Sequence, residues 1–178
     1  MGILLVPFAL PVDNLESYLD TIYPYENNYL VQGAEYSIPF EERYSHHNWP
    51  AVMKKLENVI GNLPVSGQKE LLFWGKHYRQ AGAVNLFGKD FDLPKAFSLH
   101  GSFYSWLPEG EMPDTVIALS YADADFFENY FEDVTLAETI HNPYADEKEK
   151  LWQKIFICNN PKQDFGQLKH LFKDRIFE

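Results

Sequence analysis

The chain has 178 residues, of which 46% are apolar and 16% aromatic, so there is ample side-chain area for one compact core and the composition excludes disorder as the main state. Fifteen basic against 26 acidic residues give a formal net charge of −11, and no basic stripe offsets it, which excludes a nucleic-acid partner. The one cysteine, Cys158, excludes an internal disulfide and a paired-thiol zinc site, and leaves the compartment open.

Residues 1–12 carry a short apolar run interrupted by Pro7 and Pro11. A spanning helix needs about 20 apolar residues, and a secretory signal needs a basic start and a small-residue cleavage site. Two readings remain: a segment tucked into the domain's own core, which the residues favour, or the stub of a truncated membrane helix. Asp13 caps an expected helix with Leu15, Tyr18, Leu19 and Ile22 at helical spacing, and Pro24 stops it. Tyr25 to His47 is aromatic and irregular. Asn48 caps a second helix with Val52, Leu56, Val59 and Ile60 on one face and Gly61 as its stop, and Pro64 to Lys69 reads as a loop.

From Leu71 the pattern changes. Leu71 to Trp74 is a short all-apolar run ending at Gly75, the signature of a strand buried on both faces. A helix from about Gln80 to Phe87 follows, ended by Gly88; Ala96 to Leu99 is a second short strand, and Thr115 to Leu119 a clearer one. Asp123 and Asp125 open a helix that turns Phe126, Phe127, Tyr130 and Phe131 toward a core, with acids at the favourable dipole end. Val134 to Ile140 and Gln153 to Cys158 read as strands around the polar loop His141 to Lys150. Asp164 caps the last helix, whose buried stripe is Phe165, Leu168, Leu171 and Phe172. This alternation predicts an α/β fold: a three-layer Rossmann-like domain with a mainly parallel sheet over 70–178, a helical and irregular lead-in over 13–69, and one domain in all.

Ligands of open parallel sheets bind beyond the carboxyl ends of the strands, so the loops after Trp74, Leu99 and Leu119 should line one edge. The first, Gly75 to Ala83, is neither a dinucleotide fingerprint nor a phosphate-cradling loop; Gly75 as a turn, with Gly82 and Ala83 packing closely on the sheet, accounts for it. The second, His100-Gly101-Ser102-Phe103-Tyr104-Ser105-Trp106, combines aromatic and hydrogen-bonding groups in the way that suits a sugar; a lid of packing aromatics is the equal alternative. His77, His100 and His141 all follow predicted strands, but lack a local metal-ligand motif, and adjacent His46 and His47 point apart on an extended segment. No metal or cofactor is therefore expected. Asp123, Asp125, Glu147 and Glu149 form no paired-carboxylate cleft, and Cys158 in an apolar strand is inert, so no catalytic set stands out.

The order Tyr78-x-x-Ala81-Gly82-Ala83-x-Asn85-x-Phe87-Gly88, Leu93-Pro94, then Ser98-x-His100-x-Ser102-Phe103-Tyr104-x-Trp106 resembles the soluble C-terminal region of bacterial membrane glycosyltransferases. These belong to the dolichyl-phosphate-mannose protein mannosyltransferase-like group, which includes aminoarabinose-transferase-like enzymes. Pro7 to Pro11 looks like the exit from the last membrane helix, and Cys158-Asn159-Asn160-Pro161 with Asp164-Phe165 like the region's close. The chain departs from the family pattern at Lys76, His77, Arg79, Gln80 and Gly101. The resemblance implies a parent enzyme that transfers a sugar from a polyprenyl-phosphate donor, with its catalytic acids in a membrane portion outside this chain. It further implies an extracytoplasmic domain on the inner membrane, partnered by that portion and inactive alone, with His77, Tyr78, Gln80, Asn85, His100, Ser102, Tyr104 and Trp106 as substrate-binding candidates. The competing expectation is a free-standing α/β enzyme or small-molecule binder using the same edge; a purely structural module is the third.

Overall fold

The computed structural model describes residues 32–34, 48–64, 71–143, 145 and 147–174. The expected helix at Asp13, the apolar run 1–12, the segment Tyr25 to His47 apart from residues 32–34, with its histidine pair, and most of the loop before Leu71 lie outside the described residues. The chain divides into two compact units, one made of residues 49–140 with 153–178, the other of 1–48 with 141–152.

The first unit opens with α1 (Trp49–Gly61), which buries Val52, Met53, Leu56 and Val59. The sheet strands are β1 (Leu72–Gly75), β2 (Ala96–Phe97), β3 (Thr115–Ser120), β4 (Phe131–His141) and β5 (Trp152–Pro161), in spatial order β2-β1-β3-β5-β4. Between β1 and β2 lie α2 (Tyr78–Phe87) and a 3₁₀ turn, Gly88–Phe91; a second 3₁₀ turn, Gly101–Trp106, follows β2. One-turn α3 (Asp125–Glu128) precedes β4, and α4 (Phe165–Leu171) closes the described chain. The protein has an α/β fold.

β1 pairs parallel with β2 and with β3, whereas β5 runs antiparallel to β3. The sheet is therefore mixed, and the expected mainly parallel arrangement holds for β2, β1 and β3. Parallel neighbours need a crossover such as α2, and the described residues between β4 and β5 contain only a short 3₁₀ turn.

Alternation along the strands builds two apolar clusters. Register aligns Phe97, Trp74, Ala118 and Phe156 in one row, and these pack with Phe127, Phe131, Phe165 and Leu168. Small Ala118 beside Trp74 leaves room for the indole, which stacks on Phe97 at 5.5 Å and meets Phe127 edge-on at 5.4 Å. Residues of opposite parity, Phe73, Ile117, Leu119 and Ile155, pack instead with α1 and with Ala83 and Val84 of α2. Lys55 Nζ of α1 donates to Glu138 Oε2 of β4 at 2.9 Å, and this bond holds the Glu138 carboxyl below the usual carboxylate range.

Boundaries match or miss expectation for local reasons. Gly61 is the last residue of α1 and α2 ends at Phe87 with Gly88 as its C-cap, both as expected, although Gly88 makes no left-handed turn. It sits at φ −68° and the helix tightens into a 3₁₀ turn, with Asp92 at φ 52° ending it. The helix at Asp125 is one turn long, so Phe131 opens β4 and Tyr130 belongs to the turn before it. Asp164 caps α4 as expected, accepting from the Gln167 amide at 2.7 Å. Leu171, assigned to the buried stripe, is 53% exposed, because α4 spans only seven residues and buries Phe165 and Leu168 with Phe172 beyond its end.

In the second unit, Asn142 N–H donates to Leu151 C=O at 2.8 Å, His141 Nε2 lies 2.8 Å from Gly33 C=O, and the His141 ring packs at 5.0 Å on Trp152.

Candidate functional site

The site is assembled where β1 and β2 end. β1 finishes at Gly75, against which α2 turns closely: a Cβ there would stand 2.4 Å from the Ala81 amide nitrogen. The chain then passes through Lys76, whose amide donates to Leu119 C=O at 3.0 Å and whose ammonium lies 4.5 Å over the Phe126 ring. His77 is the N-cap of α2. Its backbone is extended, its Nδ1 accepts from the Arg79 amide at 3.3 Å, and Gln80 Oε1 accepts from the His77 amide at 2.9 Å. This reciprocal cap engages the His77 and Arg79 amides at the helix start.

On the neighbouring strand end, Ser98 Oγ accepts from the His100 amide at 3.2 Å. Gly101 follows at φ +61°, a left-handed conformation that glycine adopts without strain, and the position of its missing Cβ lies 3.6 Å from the Tyr78 ring. The glycine lets the 3₁₀ turn start under Tyr78. Three rings then meet: His77 and His100 at 4.5 Å, His77 and Tyr78 at 4.2 Å, and Tyr78 and His100 at 5.3 Å within 4° of parallel. His100 Nδ1 is buried and has no hydrogen-bond partner.

The candidates thus separate into two groups. His77, Tyr78 and His100 are brought together, with Tyr78 44% exposed. Ser102 is exposed on the same 3₁₀ turn, and Trp106, 70% exposed, packs edge-on against Phe103 at 5.6 Å. The other three are engaged by the fold. Gln80 is 2% exposed and used in the cap; Asn85 bonds both backbone groups of Ala96; the Tyr104 hydroxyl donates to Lys169 C=O at 2.8 Å. Their amide and hydroxyl groups look like ligand contacts in a sequence because nothing in a sequence shows which backbone they face.

Of the third expected loop, Ser120 Oγ accepts from the Ala122 amide at 2.8 Å, and Asp123 forms an ion pair with Lys154 of β5. Asp123 is thus an ion-pair partner outside α3, while Asp125 Oδ1 accepts from the Phe126 amide at 2.9 Å. Among the described residues, no three His, Cys, Asp or Glu side chains are placed to hold one metal ion. Cys158 is buried in β5, and desolvation pushes its thiol from 9.0 up to about 12.

Sequence reasoning missed two features. A polar cleft of about 410 Å³ lies at the opposite end of β3, lined by Asp114, Glu132, Asn160, Lys162 and Gln163 among others, and an adjoining one of about 640 Å³ runs past Gly166, His170 and Leu171. Asn160, near the end of β5, has a positive φ of 57° there, and the Asn-Pro pair 160–161 is its one sequence signal. The second is the position of Lys76 over Phe126, which joins residues 50 positions apart.

A scan against protein-family models, a search of the curated proteins and a search of the solved structures each returned no match. Among the described residues, no helix is long and apolar enough to cross a membrane.

Proposed function

We propose that this chain is a sugar-binding accessory domain, of three-layer Rossmann-like architecture, belonging to a membrane glycosyltransferase that uses a polyprenyl-phosphate donor. In this reading the domain stands on the extracytoplasmic face, is carried by the membrane-embedded portion of the same polypeptide, and positions a sugar without performing the transfer. The observation that carries the binding role is the meeting of His77, Tyr78 and His100 at the carboxyl ends of parallel β1 and β2. An outward aromatic face with nitrogen and hydroxyl groups beside it suits a pyranose or furanose, whose C–H face stacks on a ring while its hydroxyls seek hydrogen bonds. Exposed Ser102 and Trp106 extend that surface. The transferase assignment is supported by the order of motifs from Tyr78 to Trp106.

The two parts are tested separately. Reading the native gene upstream of the Ile3 codon should reveal a continuous frame encoding many apolar spans, with paired acids in an early extracytoplasmic loop; a stop codon and ribosome-binding site just before Met1 would contradict the transferase assignment. The binding role is tested by substituting Tyr78, His100 and Trp106 in the full-length protein, where lost transfer with an intact fold is expected and unchanged transfer would overturn it.

The second reading, a free-standing small-molecule binder, draws on the same ring cluster and differs only in what the upstream frame contains.

A further inference from the structure

The turn Gly101–Trp106 is a six-residue 3₁₀ helix, and none of its residues is buried. Such helices usually stop after three or four residues, so this one needs support from outside. A 3₁₀ helix repeats every three residues, and side chains at i and i+3 share a side. The turn is therefore three-sided. Gly101, Tyr104 and the following Leu107 share one side, Ser102 and Ser105 a second, and Phe103 and Trp106 the third, where the two rings meet edge-on at 5.6 Å.

The first side is the one the fold holds. Gly101 lies against the Tyr78 ring, Leu107 is buried, and Tyr104 packs on the same apolar cluster as Leu107. The Tyr104 hydroxyl donates to Lys169 C=O at 2.8 Å, and the Lys169 ammonium lies 5.6 Å from the centre of its ring. Among the described residues, this is the one side-chain hydrogen bond that the turn makes. Lys169 stands in the last turn of α4, where carbonyls lack a helical partner, and the amides that follow, Phe172 and Lys173, donate to Leu168 and His170 instead. One hydroxyl thus caps α4 and fastens the turn. The other two sides face outward: Ser102, Ser105 and Trp106 are exposed, and a rise of about 2 Å per residue sets the two serines about 6 Å apart.

We propose that Ser105 is the second serine contact of this edge and Tyr104 its positioning residue. Ser102 and Ser105, whose hydroxyls both donate and accept, bond the hydroxyls of a sugar whose C–H face rests on the adjoining Phe103 and Trp106 side. Tyr104 holds both sides outward through its bond to α4 and touches no ligand. The contact role of Ser105 rests on the sugar-binding reading, whereas the positioning role of Tyr104 is a property of the free chain.

Amide hydrogen exchange on the full 178-residue chain without ligand tests the positioning role. In Tyr104→Phe, which keeps the ring, exchange should rise about fivefold, the equivalent of one net hydrogen bond, at residues 104–106 and at Leu171 and Phe172, with Ile117 of β3 unchanged. No rise, a rise at only one of the two places, or a rise that includes Ile117 would each overturn it. Lys169→Met keeps the accepting carbonyl and should leave the turn as protected as in the wild type; a loss equal to that of Tyr104→Phe would assign the hold to the ammonium instead. The contact role is read from a titration with free hexoses and pentoses. Whichever sugar the wild type binds, Ser105→Ala should bind it about fivefold more weakly with an unchanged thermal midpoint, because the residue is exposed. Tyr104→Phe should also bind it more weakly, although its hydroxyl is turned to α4. Wild-type affinity in either variant would overturn the role given to that residue. A wild type that binds no sugar of the panel would overturn the sugar reading and the Ser105 contact together, and the exchange result would still decide the role of Tyr104.

Discussion

The Asn85 side chain clamps the backbone of Ala96 at both ends of its amide: Oδ1 accepts from the Ala96 N–H at 2.9 Å, and Nδ2 donates to the Ala96 C=O at 3.1 Å. A strand of two residues has few ladder bonds of its own, and this clamp fastens β2 to α2 from the outside. Each net hydrogen bond contributes about 1 kcal/mol, so Asn85→Ala should lower stability by about 2 kcal/mol. Asn85→Asp should be no better, since a carboxylate would set an acceptor against the Ala96 carbonyl. Urea unfolding of the three proteins measures both effects.

The two glycines flanking the start of α2 should respond oppositely. A methyl at Gly75 would meet the backbone of Ala81 at 2.4 Å, so Gly75→Ala must push α2 from the sheet and should cost about 1–3 kcal/mol. At Gly82 a Cβ has nothing within 4 Å, so this residue has open space beside it and not the close packing that the sequence led us to expect. Gly82→Ala should stabilise the protein by up to about 1 kcal/mol, the helix-propensity difference. Thermal unfolding midpoints that move in the same direction for both would contradict this contrast.

Cys158 should be silent below alkaline pH. Burial raises its folded-state pKa from 9.0 to about 12, so between those limits the unfolded chain loses a proton that the folded chain keeps. The thiol's contribution is therefore fully present below about pH 9 and declines as pH rises toward 12, by at most about 1.4 kcal/mol per pH unit. Stability of the wild type relative to Cys158→Ala, followed by urea unfolding from neutral to alkaline pH, should fall along that slope. A thiol reagent at neutral pH should react only as fast as the protein opens.

The sheet was legible in the sequence wherever side chains were decisive. Apolar runs at Leu71 to Trp74 and Thr115 to Leu119 mark strands buried on both faces, and Asp164 with Gln167 marks a capped helix. Direction was not legible: nothing within Gln153 to Cys158 states that β5 opposes β3, because orientation follows from the connections and not from the strand. The candidate site divides on the same ground. Aromatic rings announce themselves by type, so His77, Tyr78 and His100 could be placed at one edge. Asn85 and Tyr104 are polar groups whose partners are backbone atoms 11 and 65 positions away, and such pairings leave no trace in local spacing; Gln80 pairs with the His77 amide only three positions away, and its box went unread because histidine is not a usual capping residue.

Removing Trp106 and removing Asn85 should therefore separate binding from folding. Trp106 is 70% exposed, so Trp106→Ala should change stability by no more than about 0.5 kcal/mol while weakening any ligand stacked at this edge by about tenfold, the loss expected for one aromatic platform. Asn85→Ala should do the reverse, lowering stability and altering affinity only as far as β2 loosens. Equal loss of affinity and stability in Trp106→Ala would assign that indole to the scaffold.

The most direct test of the account is an amide-resolved NMR titration of the chain with free hexoses and pentoses and with polyprenyl-phosphate headgroups. The account predicts saturable shifts confined to residues 76–80 and 100–106, including the Tyr78 and His100 rings and the Trp106 indole, for at least one of these sugars. If every amide and ring signal of those two segments stays unmoved across the panel at millimolar ligand, the edge does not receive a sugar and the central claim is wrong.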